Sequence, residues 1–229
     1  MSTAPQTKEP QYGVLFDVIE KHGISTFGLM ANESWNEDPR RTLFTLARYK
    51  FVSKMLGGRG KVLEIGCADA FGTRLVQQTV EHVTAVDFDP IFIEDVHARM
   101  NPAWPMDAFV HNMLDGPVPG RYDAIYSLDV LEHIAPENES AFLRNALHSL
   151  DEHGAMIVGI PSLESQAHAS PQSKAGHVNC KSGKDFKSLF ERYFHNVFVF
   201  SMNDEVVHTG FYPMAHYLIA VCCGKKVGA

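Results

Sequence analysis

This sequence has little of what marks secreted, membrane-spanning or polyanion-binding proteins. Its four cysteines include no CxxC pair, so the chain offers neither a disulfide framework nor a cysteine zinc site. No apolar run approaches the roughly 18 residues that a membrane span needs, and the polar start MSTAPQTKEPQYG has no apolar signal core. Lysine and arginine number 20 against 27 aspartate and glutamate, for a formal net charge of −7.

These absences exclude several classes of partner. A nucleic-acid-binding protein displaces counterions with a basic face, and the basic residues here form only pairs, so we expect no nucleic-acid partner. We also expect no membrane partner, reduced thiols and a cytoplasmic location. The sequence leaves the oligomeric state open, a homodimer included.

What the chain does have is the composition of an ordinary globular protein, with 45% hydrophobic and 21% charged residues. A chain of 229 residues can bury roughly 70% of its unfolded surface in one core. Residues 1–10 are polar, carry two prolines and are expected to be a disordered tail. Apolar positions at helical spacing predict helices over 12–22 and 39–56, within an N-terminal helical cap over 11–57. Residues 58–229 then form the main domain.

In the main domain, short apolar runs alternate with amphipathic stretches. Strands are predicted over 61–66, 82–87, 108–113, 122–128, 155–160, 196–201 and 216–223, and helices over 73–80, 90–100, 137–153 and 184–193. Asp89 before Pro90 is typical of a helix start, and Gly154 is expected to cap the end of the 137–153 helix. The alternation indicates an α/β fold with a doubly wound parallel sheet, which binds ligands at the carboxyl ends of its strands.

The segment VLEIGCADAFG (62–72) points to a nucleoside. A buried strand ends in Glu64, Gly66 opens a turn that lacks an obstructing Cβ, and a helix follows. Asp87 lies about 20 residues on, at the tip of the second strand, where a carboxylate can accept bonds from both ribose hydroxyls. Such a turn also arises without a ligand, and a lone strand-end Asp can serve as a helix cap. Here Asp89 already supplies the cap.

Four segments in this order make the chain similar to the class I S-adenosylmethionine-dependent methyltransferases: VLEIGCADAFG (62–72), VDFDP (86–90), HNMLDG (111–116) and YDAIYSLDVLEHI (122–134). The resemblance covers about residues 40–223. It implies a Rossmann-like methyltransferase fold, whose seven-stranded, mostly parallel sheet has an antiparallel last strand. In that family the turn usually carries three glycines, whereas Ala68 and Ala70 occupy the second and third positions here. Alanine at 68 is tolerable if its backbone stays in an ordinary region.

The resemblance implies S-adenosyl-L-methionine as the cofactor and assigns residues to it. The turn backbone would face the methionine moiety, Asp87 the ribose, and residues 88, 112 and 113 the adenine. Arg48 and Tyr49 resemble a pair that can clamp the cofactor carboxylate, although a solvated Arg48 is an equal alternative. The full set of assigned cofactor-binding residues is Arg48, Tyr49, Glu64, Gly66, Cys67, Ala68, Asp87, Phe88, Asn112, Met113, Leu128 and Asp129.

Methyl transfer requires alignment, exclusion of water and, for a hydroxyl acceptor, a base. His133 is the first candidate base because it follows the fourth strand. His208 ranks second and His177 third, on the long connections 203–213 and 161–183. A purely structural role is the alternative for each. None of the 12 histidines pairs as HxH or HxxxH on one element, so no metal is expected.

The function predicted from the sequence is therefore methyl transfer to an oxygen or nitrogen of a small molecule. Met30, Trp35 and Phe44 are candidates to line the acceptor pocket, with packing in the core as the alternative for each. Methylation of a protein or another macromolecule is one alternative, which the net charge of −7 disfavours. An NAD-dependent reductase is another, and it would need glycines that let the backbone approach a pyrophosphate, where this turn has alanines.

Overall fold

The computed structural model describes residues 7–228 and centres on one eight-stranded sheet. Residues 1–6 of the predicted tail lie outside the described residues. The strands are β1 Lys61–Ile65, β2 His82–Asp87, β3 Asp107–Val110, β4 Tyr122–Leu128, β5 Leu150–Pro161, β6 Phe194–Asn203, β7 Val206–His208 and β8 Tyr217–Lys225. Their order across the sheet is β3-β2-β1-β4-β5-β8-β6-β7. Strands β1 to β5 pair in parallel, and β8 lies antiparallel between β5 and β6.

Helices precede the sheet and alternate with its strands. They are α1 Val14–His22, α2 Leu29–Glu37, α3 Pro39–Met55, α4 Thr73–Gln77, α5 Pro90–Arg99, α6 Glu139–Ser149, α7 Pro171–Gly176 and α8 Gly183–Glu191. Short 3-10 turns lie at Pro10–Gly13, Leu131–His133, Glu164–His168 and Tyr212–Met214. The Asp89 carboxylate accepts the N–H of Ile91 at 3.1 Å, so Asp89 caps α5 as predicted.

Apolar side chains fill both faces of the sheet. On one face, the aromatic residues Phe142 of α6 and Phe186 of α8 pack against the strands. On the other face, Tyr49 and Val52 of α3 pack against Tyr126 of β4. Burial on both faces is typical of parallel sheets covered by helices, and it confirms the predicted α/β fold class with a helical N-terminal part.

The structure corrects the predicted number of strands from seven to eight. Residues 204–205 form a two-residue turn between Asn203 and Val206, which pair across the hairpin of β6 and β7. Asp204 takes a φ of +50° there, a backbone region that aspartate tolerates better than most residues. The segment 203–213, predicted as a plain connection, therefore contains the edge strand β7.

Three helical predictions also change. The helix predicted over 137–153 ends at Ser149, because Leu150 is fully buried and pairs with Tyr122, which draws it into β5. Gly154 lies inside that strand and caps no helix. Helix α2 was not predicted, and the stretch 161–183, predicted as irregular, contains α7 and a 3-10 turn. Among the described residues, no helix combines the length and apolar character that crossing a bilayer requires.

Candidate active site

The turn after β1 lies beside the carboxyl ends of β2 and β4 and is held in a left-handed conformation. Gly66 has a φ of +77°, and a Cβ there would fall inside contact distance of the Val130 side chain. Ala68 and Ala70 have φ values of +44° and +51°. The condition that Ala68 stay in an ordinary backbone region is therefore not met. Its N–H donates to Asp87 Oδ2 at 2.8 Å, which fixes the turn in this shape.

Asp87 is buried at the tip of β2 and faces this turn. Its two oxygens accept the N–H groups of Ala68 and Asp89, at 2.8 and 3.0 Å. Each oxygen keeps a further lone pair, so the carboxylate can also accept from a pair of ribose hydroxyls. Phe88 beside it is exposed, which leaves its ring free to cover a base. Asn112 accepts the N–H of Leu114 at 3.0 Å through its side-chain carbonyl.

Glu64 stands beneath the turn and holds three elements together. Its carboxylate accepts the hydroxyls of Tyr49 (2.7 Å), Thr73 (2.5 Å) and Tyr126 (2.7 Å). Burial raises the pKa of Glu64 from 4.5 to about 7, against the opposing effect of these three hydrogen bonds. The Tyr49 ring also packs where a Cβ on Gly72 would lie. Glu64 and Tyr49 thus brace the turn from below.

Arg48 and Asp129 form an ion pair at the carboxyl end of β4. Arg48 Nη1 donates to both Asp129 oxygens, at 2.9 and 2.7 Å, and its guanidinium lies 3.8 Å from the centre of the Tyr217 ring. Arg48 Nε is buried and has no hydrogen-bond partner among residues 7–228. A partly buried guanidinium with a donor to spare fits the carboxylate of the predicted cofactor.

The remaining assigned cofactor residues lie on the same strand ends. Cys67, Met113 and Leu128 are buried, so only their backbone can meet a ligand. Burial raises the pKa of the Cys67 thiol far above its usual range, and the thiol is therefore unreactive at neutral pH.

Two of the three predicted histidines come together. The ring centres of His133 and His177 are 5.1 Å apart, because the loop after α7 folds back onto the 3-10 turn that follows β4. Burial, with a smaller contribution from the neighbouring His133, lowers the pKa of His177 below 6.5. His208 lies on β7, four strands from β4, and both its ring nitrogens are bonded within its own hairpin, to Asn203 and Gly210. His208 is therefore separate from the other two.

Sequence reasoning missed Glu132, which lies between β4 and His133 within the motif YDAIYSLDVLEHI. Its side chain is fully buried, and neither carboxylate oxygen has a hydrogen-bond partner among the described residues. Burial, and next the charge of Asp129, raise the pKa of Glu132 well above 4.5. The position of Glu132 directly before His133 in that motif was the signal available in the sequence.

The N-terminal segment around α2 contacts the turn that follows β1. The N–H of Ala31 donates to Asp69 Oδ2 at 2.7 Å, and the Phe27 ring stacks against Trp35 and meets Phe71 edge-on, at 5.5 and 5.2 Å. Trp35 is half exposed here, as expected for a residue that lines an opening. Phe44 instead packs against the core under α3, so it does not line an acceptor site.

Comparison with known proteins agrees with this geometry. A family model described as "Methyltransferase domain" matches residues 62–154, from β1 into β5. A mitochondrial ubiquinone biosynthesis O-methyltransferase of Schizosaccharomyces pombe is 25% identical over 172 residues, which is 70% of this chain and 62% of that protein. A probable S-adenosylmethionine-dependent methyltransferase of Mycobacterium tuberculosis is 28% identical over 102 residues, which is 44% of this chain and 35% of that protein. The chain thus spans less than two thirds of these relatives' own length.

A solved structure shares the fold. The N-methyltransferase NodS of Bradyrhizobium japonicum WM9, solved with S-adenosyl-L-homocysteine, superposes with a TM-score of 0.60 at 18% identity. The superposition covers 84% of this chain and 91% of that one. These matches support the predicted enzyme class and cofactor at the level of the family. Residues 62–154 thus match the methyltransferase-domain family, and the β1 turn, the sheet order and these relatives support a class I S-adenosylmethionine-dependent methyltransferase.

Proposed function

We propose that this chain transfers a methyl group from S-adenosylmethionine to an oxygen or nitrogen of a small-molecule acceptor. The observation that carries the proposal is the buried Asp87 carboxylate bonded to the left-handed turn at Ala68, because it places a ribose acceptor beside a turn that the cofactor can reach. Arg48 at the end of β4 would hold the cofactor carboxylate, and Phe88 would cover the adenine. When bound, the cofactor supplies a methyl group already activated on sulfur.

Two features support a small acceptor. Residues 27–35 cover the turn through the Ala31 bond to Asp69 and the aromatic contacts of Phe27, which leaves less room beside the turn for a large acceptor. The net charge of −7 disfavours a polyanionic acceptor. The S. pombe relative is named as an O-methyltransferase and NodS as an N-methyltransferase, so both acceptor atoms are compatible with this fold.

The chain's own part in the transfer is to orient the acceptor and manage its proton. The oxygen or nitrogen lone pair forms a bond to the methyl carbon while the carbon–sulfur bond breaks toward sulfur, which leaves S-adenosylhomocysteine. His133 remains the first predicted proton acceptor, since its Nδ1 lies 2.9 Å from the Gly176 carbonyl oxygen and its Nε2 has no hydrogen-bond partner among residues 7–228. If His133 is that base, His133→Ala lowers turnover by ~10²–10⁴-fold with cofactor affinity nearly intact.

Calorimetry with S-adenosylhomocysteine tests the cofactor site. Asp87→Ala should weaken binding by about 10–100-fold, the effect expected when hydrogen bonds to a buried charged group are lost. Asp89→Ala is the matched control, since its carboxylate caps α5 and should cost stability rather than affinity. Binding of NAD without binding of either sulfur nucleoside would overturn the assignment.

The acceptor class is tested separately by transfer of tritium from methyl-labelled S-adenosylmethionine. Label should appear in a low-molecular-weight product of a cell extract that is separated from S-adenosylmethionine by chromatography. Label that appears only in the protein or nucleic-acid fraction would refute a small-molecule acceptor while leaving the cofactor site intact.

A further inference from the structure

Glu132, His133 and His177 form a cluster, and of the three only His133 has a methyl-transfer role above. One ligand-type atom from each of the three lies within 4.8 Å of the others. Glu132 and His133 belong to the 3-10 turn after β4, and His177 follows α7. The main-chain carbonyl of Glu132 accepts the N–H groups of Val178 and Asn179, at 2.8 and 3.0 Å, and these two bonds dock the His177 loop onto the turn.

Both imidazole rings are oriented in the same way. His133 Nδ1 lies 2.9 Å from the carbonyl oxygen of Gly176, and His177 Nδ1 lies 2.9 Å from the side-chain oxygen of Gln166. A carbonyl oxygen only accepts, so in the neutral rings each Nδ1 carries the hydrogen. Each Nε2 is then left with its lone pair. Metal-binding histidines are typically fixed by a hydrogen bond of this kind from the other ring nitrogen.

The buried carboxylate is the second, independent observation. Glu132 is fully buried, and neither of its oxygens has a hydrogen-bond partner in the described part of the chain. Arg48 pairs with Asp129 and not with Glu132. A buried carboxylate without a partner is costly, and such groups are paired or coordinate metals.

We propose that Glu132, His133 and His177 bind one divalent transition-metal ion. Two imidazole nitrogens and one carboxylate suit zinc, iron, manganese or cobalt, and three protein ligands leave coordination positions open. The expectation of no metal considered only histidine pairs on one element, whereas these ligands come from two elements. Its use rests on the proposed function: an acceptor hydroxyl on the open position would lose its proton to solvent more readily, and His133 would be a ligand rather than the base.

Cobalt(II) titration of the whole chain, after dialysis against a chelator, tests the site without any methyl transfer. We expect saturable visible absorption bands at one ion per chain, which zinc abolishes by competition. Glu132→Gln and His177→Ala should each weaken cobalt binding by at least ~10²-fold, and Gln166→Ala by ~10–100-fold because it orients His177. His168→Ala is the matched control, since His168 is an exposed histidine on the same connection.

Absence of the absorption bands, or equal cobalt affinity in the wild type and in His177→Ala, would overturn the proposal. Thermal unfolding of each variant checks folding, and His177→Ala carries the test if Glu132→Gln does not fold. Calorimetry with S-adenosylhomocysteine separates this proposal from the proposed function. Cobalt binding without nucleoside binding would refute the proposed function and support the metal site. Nucleoside binding without cobalt binding would refute the metal site and leave the proposed function standing.

Discussion

The Glu64 carboxyl should make the stability of the protein depend on pH in a way that one substitution removes. In the folded chain the pKa of Glu64 is about 7, against 4.5 for an ordinary glutamate. Below pH 4.5 the Glu64 carboxyl is protonated in both the folded and the unfolded chain. Between pH 4.5 and 7 it ionises in the unfolded chain only, which lowers the free energy of unfolding. A difference of this size corresponds to about 3 kcal/mol, present in full at low pH and lost as pH rises through 7.

Glu64→Gln keeps one side-chain oxygen that can accept from some of the Tyr49, Thr73 and Tyr126 hydroxyls, and its side chain cannot ionise. The free energy of unfolding, measured by urea at pH 5, 6, 7 and 8, should therefore fall more steeply with pH in the wild type than in Glu64→Gln. Most of the ~3 kcal/mol should appear within that range. Glu152→Gln, at an exposed position, controls for the loss of one carboxylate. If the two curves run parallel to within about 1 kcal/mol, the buried-carboxyl argument is wrong.

Three further substitutions test the packing around the site by denaturant midpoint. Gly66→Ala should destabilise by about 3 kcal/mol, because its φ is +77° and the new Cβ would meet Val130; an unchanged midpoint would show that the turn relaxes. Ala68→Gly should stabilise by up to about 1 kcal/mol by relieving a φ of +44°, and a lower midpoint would contradict that strain. Phe142→Ala, in the core under α6, should cost about 3–5 kcal/mol, and a loss below about 1 kcal/mol would be inconsistent with full burial.

Local signals account for what the sequence predicted well. The Asp89–Pro90 pair marks the start of α5 because capping involves only neighbouring residues. The central strands were predicted because continuous apolar runs are typical of strands buried on both faces. By contrast, the end of α6 depends on the pairing of Leu150 with Tyr122 across the sheet, which no local pattern encodes.

In the candidate site too, residues with local sequence signals were predicted, and those that depend on long-range contacts were not. Asp87 and the turn were found because they lie at strand ends whose spacing is recognisable. The contact between His133 and the loop at Gly176 joins residues 43 apart and depends on backbone bonds that the sequence does not show. The left-handed conformation of Ala68 was missed for a similar reason. It is imposed by a bond to Asp87 from the next strand rather than by the alanine itself.

The placement of β8 has a consequence for synthesis of the chain. This strand pairs with β5 on one side and β6 on the other, yet residues 217–225 are translated after every other strand. At ~5–20 residues per second, the edge of β5 stays unpaired for roughly 3–11 s after it leaves the ribosome. In the folded protein, strand β6 pairs with β8 and not with β5. The nascent protein therefore presents the open apolar edge of β5, which chaperones can recognise. That edge is covered only when β8 is inserted between β5 and β6.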